Sequence, residues 1–415
     1  MANEHHGGMG EVDCVKTIKA ETCMTGRKFG AWVVRALGAV AFCVGAMSAH
    51  AQETMKIGVI ASLSGGGTAW GLGLERGVQI AVDQVNAKGG LKLAGKTYKL
   101  EVVPYDDQYN AAQAKTAADR LVNQDEVKVI FGPVGSPGAL GSLPVTEPAK
   151  VLQFVDGYAP AILKNQWQGA YVFRINNSTI EFSAPIVDWL KKTFPNAKKV
   201  GMIAPNDATG QAGVPILANA YKSRGFDVWT DHYERGTKEF TPLLLRMMAQ
   251  NVDIFDLNAN APGEAGLLVK QARQVGYKGV IMQSGGAGID ELIAIAGPLA
   301  NNMMKYDVID ESLPRVQPFV ALYHQKYSGV MNGLAPVYYN AANILFEAMR
   351  RADSTDTTKI RDQIEKLGGN YDAPIFGTVK WTGEKDYGVN HQLLHTFVIK
   401  EVQNGKATVK AVITP

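Results

Sequence analysis

The sequence predicts an α/β protein made of two comparable halves, each a parallel sheet with helices on both faces. Three observations predict it. Short apolar runs alternate with amphipathic helical stretches from Lys56 onward, the spacing expected of parallel strands joined by crossover helices. The strands read as near-continuous apolar runs, as strands buried on both faces do. The alternation then restarts around Arg174–Thr179, with no low-complexity tract or flexible linker between the two halves.

The opening unit is Lys56–Gly90. Lys56–Leu63 is an apolar strand, Ser64–Thr68 a polar glycine loop, and the stretch from about Gly71 a helix burying Leu72, Val78, Ile80, Ala81, Val82 and Val85. A phosphate-binding loop would need a lysine after these glycines, and none follows. Gly71, Gly73 and Gly77 imitate a dinucleotide fingerprint but begin eight positions after Leu63, too far for a turn that follows its strand directly. A plain glycine-rich βα loop is the third reading.

The first half continues with strands at Lys99–Tyr105, Val127–Phe131 and Val151–Val155, and helices at Ala111–Gln124 and from Gly135 to about Pro144. In the second half, strands are expected at Val200–Ala204, Asp227–Tyr233, Val252–Leu257 and Gly279–Gln283. Its helices are expected at Glu181–Phe194, Val214–Arg224, Thr241–Gln250 and Gly263–Val275. The C-terminal part reads as helices at Pro318–Tyr327, Val337–Arg351 and Thr358–Leu367. Strands follow at Thr378–Thr382, Leu394–Glu401 and Ala407–Ile413, with Asn404-Gly405 as a hairpin turn.

Composition bounds the function. With 415 residues, 46% hydrophobic, the chain is long enough for two cores. A formal charge of +3 with scattered Lys and Arg gives no footprint for nucleic acid. Arg27, Lys28 and Arg35 precede the apolar Ala36–Met47, and an A-x-A site, Ala49–Ala51, follows it. That is the pattern of a secretory signal cut before Gln52, with an apolar run too short to span a membrane. Met24 would start a signal of ordinary length. All three cysteines (Cys14, Cys23, Cys43) precede Gln52, so the mature chain relies on its cores rather than disulfides. Loss of five basic and four acidic residues from 42 and 39 leaves 37 against 35.

Catalytic patterns are weak. His391 and His395 share one strand face rather than forming a metal clamp, and there is no Cys/His cluster for zinc. Ser136, in V-G-S-P-G, lacks the glycine of a nucleophile elbow and reads as a helix N-cap. Asp106-Asp107 reads as a pair of solvated strand-end charges. What remains are small, polar and aromatic residues at strand carboxyl ends in both halves, where ligands of open α/β sheets collect. Two lobes whose loops face one cleft would enclose a small solute. A secreted enzyme or a sensory receptor using the same cleft are the rival readings.

Four stretches carry a resemblance: KIGVIASLSGGGTAWG with RGVQIAVDQVNAKGG (56–90), VVPYDDQYNAAQAKTAADRLV (102–122), VIFGPVGSPGA (129–139) and LVKQARQVGYKGVIMQSGGAG (268–288). They make the chain resemble the type I periplasmic solute-binding proteins of ABC transporters, in the Leu/Ile/Val-binding branch, over essentially all of residues 53–415. The resemblance implies two Rossmann-like lobes joined by three crossovers, near Arg174–Thr179, Met303–Val308 and Trp381–Tyr387. Lobe I would be 53–176 plus 307–383, and lobe II 177–306 plus 384–415, after a removed segment 1–51. It implies a monomeric periplasmic receptor without cofactor, metal or catalysis, whose partners are a small solute and a membrane permease.

The resemblance also implies site residues. Trp70 matches the aromatic over the ligand, Ser136 the serine that meets its carboxylate, and Gly157, Tyr158 and Ala159 the loop that supplies backbone groups. Thr209 stands where amino-acid binders often carry Tyr, and Asn260 near another such Tyr. The acid that receives an α-ammonium falls at Gly285, where there is no side chain. Removing one partner from a buried charge pair costs roughly 2–5 kcal/mol, about 1.5–3.5 decades of affinity. The expected ligand is therefore a carboxylate or aromatic acid lacking an α-ammonium, flanked by Trp70 and Tyr158. An amino acid would need another anion, Asp156 or Asp207.

Overall fold

The computed structural model describes residues 53–164, 171–258 and 260–415. The signal-type segment and the three cysteines lie outside them. Two sheets organise the described chain. In the first, the strands run in the order Trp381–Thr382, Gln392–Leu393, Val172–Arg174, Leu152–Asp156, Val129–Val134, Glu53–Ala61, Lys96–Asp106 and Leu91–Leu93. All its pairings are parallel except the two at its edges. In the second, the order is Lys406–Ile413, Phe397–Gln403, Met304–Asp307, Val280–Gln283, Ile254–Asp256, Lys199–Pro205 and Asp227–Tyr233. Its last two strands in sequence form an antiparallel hairpin on one edge.

The buried runs explain the centres of these sheets. All of Val129–Val134 and Leu152–Asp156 is buried, as strands covered by helices on both faces must be. Gln153 is tolerated there because Gly132, Ser142 and Thr146 satisfy its amide. The helix Thr68–Ala87 lies against Leu334–Ala352, and glycine permits the approach. A methyl group at Gly77 would stand 2.2 Å from the Ala335 carbonyl oxygen, and one at Gly71 2.1 Å from that of Ser62. The glycines that imitate a nucleotide fingerprint are thus packing contacts.

Several expectations shift. The helix of the opening unit begins at Thr68, after a 3-10 turn at Gly65–Gly67, so Trp70 sits in its first turn rather than in a loop. Met304–Asp307 is itself a strand of the second sheet, so the chain turns back only after it. Gln392 pairs with Arg174 and keeps the chain in the first sheet to Leu393. The final change of sheet therefore comes after Leu393, not at Trp381–Tyr387, and the segment 384–393 goes with the first sheet. A two-residue strand has no periodicity from which to read this. Asp107 is buried rather than solvated, bound by the Ser62 hydroxyl at 2.6 Å and the Tyr109 amide at 2.9 Å. Asp106 outside it accepts from Leu63, Ser64 and Gln108.

Candidate functional site

The carboxyl ends of the two sheets face a common small cavity. Trp70, Tyr109, Val134, Gly135, Asp156 and Tyr158 line it from the first lobe with Gly157 and Leu334; Thr209, Gly286 and Ala287 line it from the second. Four of the expected residues (Trp70, Gly157, Tyr158 and Thr209) meet there.

Direct contacts join the lobes around this cavity. The Trp70 indole Nε1 donates to the Ala287 carbonyl at 2.9 Å, and the Gly286 amide donates to the Tyr158 hydroxyl at 2.9 Å. The Tyr109 and Thr209 hydroxyls lie 3.2 Å apart, and the Ser136 amide also reaches Thr209 Oγ1, at 3.3 Å. Asn332 donates to Glu291 at 2.9 Å. Tyr109 was not legible as a site residue. Asp107 and a left-handed backbone at φ 57° turn its ring beneath Trp70, with centroids 5.8 Å apart. The guanidinium of Arg235 covers the ring's other neighbourhood at 4.5 Å, itself held by Asp207 and Glu264.

Local sequence determines how the loops are held. Asp207 caps its helix by accepting from the Thr209 and Gly210 amides, and its other oxygen takes Arg235 at 2.6 Å. It is committed and offers nothing to a solute. Asp256 accepts from Tyr221, both groups of Ser284 and the Asn258 amide, which fixes the Ser284–Gly286 loop. Buried Lys305 donates to the Gly286 carbonyl from behind, and burial pulls its ammonium down to about 8.

Three expected residues have other roles. Ser136 is not the N-cap, which is Gly135. Its hydroxyl accepts from the Tyr158 and Ala159 amides at 3.0 and 2.9 Å, so serine and loop satisfy each other in this state. Asn260 is corrected to a structural residue. Its amide is consumed by Tyr233 at 2.5 Å and by the carbonyls of Ile203 and Leu257. Gly285 has φ 103°, and a Cβ there would meet Phe182 at 2.8 Å and Tyr158 at 3.4 Å. Aromatic rings fill the space that a side chain there would need.

Asp156 is the charged residue of the wall. It is 5% exposed. Its Oδ2 takes a long bond from Asn176, 3.3 Å, while its Oδ1 is buried with no partner among the described residues. Burial raises its carboxyl to about 6, against the opposing effects of the Asn176 bond and the Arg174 charge. Arg174, also buried, donates to the Ala159 carbonyl at 2.7 Å and to Gln392 at 3.2 Å. Three helices start at the cavity: Trp70 lies in the first turn of Thr68–Ala87, Gly135 just before Ser136–Thr146, and Thr209 in the first turn of Ala208–Lys222. Several of their first-turn amides are already committed, those of Thr209 and Gly210 to Asp207 and that of Ser136 to Thr209.

No nucleophile–base pair is assembled: among the described residues no histidine partners Ser136. His391 instead binds Val172 and Glu365, and His395 binds Thr396 and Asn176. No group of three metal-ligating side chains occurs among the described residues. None of their helices is long and apolar enough to cross a membrane.

Known proteins agree with this architecture. The profile of the family described as periplasmic binding protein matches residues 54–407. The Leu/Ile/Val-binding protein homolog 8 of Brucella abortus is 26% identical over 360 residues, 82% of this chain and 86% of its own. Among solved structures, a leucine-binding protein of Thermotoga maritima is 26% identical with a TM-score of 0.76, covering 87% of this chain and 99% of that one. A solute-binding protein of an ABC transporter from R. palustris, in complex with benzoate, shares the fold at 19% identity and a TM-score of 0.74, over 87% of this chain and 97% of its own. By the extent of the profile match and the two parallel-sheet lobes of the type I fold, the chain belongs to the periplasmic binding protein family.

Proposed function

We propose that this chain is the solute receptor of an ABC importer of the branched-chain-amino-acid type, exported through a signal cut before Gln52 and acting as a monomer. It clamps a small organic solute between its lobes and presents the closed form to a membrane permease. The observation that carries this reading is the cavity lined from both lobes and ringed by direct latches, Trp70 to Ala287 and Gly286 to Tyr158. Such latches form only when the lobes meet, so a solute filling the cavity biases an open–closed equilibrium toward the form that a transporter can recognise. Binding and closure need no nucleophile or metal.

The wall supports one solute class. Trp70, Tyr109, Tyr158, Val134 and Leu334 offer aromatic and aliphatic surface to a compact body. The helix starts at the cavity favour a carboxylate or similar polar head. Gly285 supports a ligand lacking an α-ammonium there, because Phe182 and Tyr158 occupy the position of the acid. The benzoate complex of the R. palustris protein carries only the fold, so this assignment rests on the chain's own residues. A second reading, an amino acid held through a different acid, is favoured by the unpartnered Oδ1 of Asp156.

Native mass spectrometry of the purified mature protein tests the receptor reading. A retained small molecule, lost on mild denaturation, is expected. A protein that retains nothing, and shows no contraction by small-angle scattering with any of a broad panel of acids and amino acids, would refute it.

A further inference from the structure

We infer that Asp156 is a specificity-determining residue of this cavity and selects solutes that present a hydrogen-bond donor, hydroxyl or ammonium, to its free carboxylate oxygen. The inference rests on the receptor reading above and deepens it.

Three observations combine. Asp156 forms part of the cavity wall. It is more than nine-tenths buried, and its Oδ1 has no partner among the described residues. Buried carboxylate oxygens are ordinarily paired, since an unpaired one loses its hydration for nothing in return. The other acids in this region differ: Asp107 and Glu291 each keep an unpartnered oxygen but do not line the cavity. Asp256 accepts four bonds from Tyr221, Asn258 and Ser284, and Asp207 is divided between its helix cap and Arg235. Of these acids, only Asp156 both lines the cavity and keeps an unpartnered side-chain oxygen.

Its surroundings support a role in binding rather than folding. Arg174 lies near enough to influence its charge, yet donates to Ala159 and Gln392. A carboxylate kept partly unsatisfied at a cavity wall is what binding sites retain at the expense of stability. A donor on the solute would complete it. Such a site accepts a hydroxylated aromatic acid or an amino acid and discriminates against the same skeleton without its donor.

The test uses matched probe pairs on the mature full-length protein: 4-hydroxybenzoate against benzoate, and leucine against 4-methylpentanoate. Affinities are read by calorimetry for wild type, Asp156→Asn and Asp156→Ala. In at least one pair, the donor-bearing member should bind wild type roughly 10–100-fold more tightly, the range for a hydrogen bond to a charged group. Asp156→Ala should abolish that ratio. Asp156→Asn separates the sources: it should retain part of the ratio for a hydroxyl and remove it for an ammonium. Unfolding without solute provides a control, because Asp156→Asn should not lower the melting temperature of an acid that serves binding. A lower melting temperature with an unchanged ratio would make Asp156 a structural residue and overturn the inference. Equal binding within both pairs, or no binding of any of the four probes, would also overturn it. A solute retained in the native spectrum would leave the receptor reading standing in either case.

Discussion

The indole nitrogen of Trp70 donates to the carbonyl oxygen of Ala287 at 2.9 Å, across 217 positions of chain and from one lobe to the other. The bond belongs to closure, because its donor rides on the first lobe and its acceptor on the loop after Gln283.

Replacing Trp70 with Phe keeps an aromatic wall and removes this donor. The loss of one neutral hydrogen bond, about 0.5–1.5 kcal/mol, should shift the lobes toward the open form and weaken solute binding up to about tenfold. Small-angle scattering with and without solute reads the shift, and thermal unfolding should change little.

Gly285→Ala examines the position where an acid is missing. The left-handed φ of 103° and the 2.8 Å approach to Phe182 both oppose a side chain. Strain of this kind costs on the order of 1–3 kcal/mol, so the variant should melt several degrees lower. An unchanged melting temperature would mean that the loop is free to move and that an acid there is not excluded by shape.

Asp156 and His395 should give stability opposite dependences on pH. The Asp156 carboxyl rises from its usual 3.8 to about 6, so the folded chain holds a proton that the unfolded chain has already lost. Stability from this group is fully present below pH 3.8 and is lost as pH rises toward 6, by about 3 kcal/mol. His395, buried against Phe376 at 3.8 Å, falls from 6.5 to about 4. The unfolded chain then binds the extra proton, so stability is present above pH 6.5 and is lost as pH falls toward 4. Urea unfolding from pH 4 to 8 should show Asp156→Asn gaining over wild type only as pH rises past 4 to 6. His395→Gln should flatten the acid limb instead.

Asn260→Ala should damage the fold and spare the site. Removing the amide leaves the Tyr233 hydroxyl to Glu264 alone and strands two buried carbonyls, at about 1–3 kcal/mol for each group left unsatisfied. Chemical unfolding should report the loss. Calorimetry on the folded fraction should find solute affinity within about threefold of wild type, a difference under about 0.7 kcal/mol.

Much of the fold was legible because its causes are local. The apolar runs Val129–Val134 and Lys199–Pro205 are buried as their composition requires, and Asp227–Tyr233 forms the strand that its residues predict. Ser178 and Glu181 make a full capping box at the head of the helix Thr179–Thr193. The alternation of strand and helix, repeated after Arg174, was enough to determine two parallel sheets. It also placed Trp70, Gly157, Tyr158 and Thr209 at the ends where those sheets converge.

Only the tertiary structure decided which of these ends serve a solute. Asn260 and Asp207 look as available in the chain as Asp156 does. Tyr233 and Arg235, on another strand and the turn after it, consume them, and no local pattern reports that. Tyr109 reaches the wall through an unusual backbone angle supported by Asp107. The sheet of Gln392–Leu393 is chosen by pairing with Arg174, 218 positions from Gln392. Periodicity records which face of an element is buried. Whether a buried polar atom already has a partner depends on what folds against it, and at Asp156 that leaves one oxygen open.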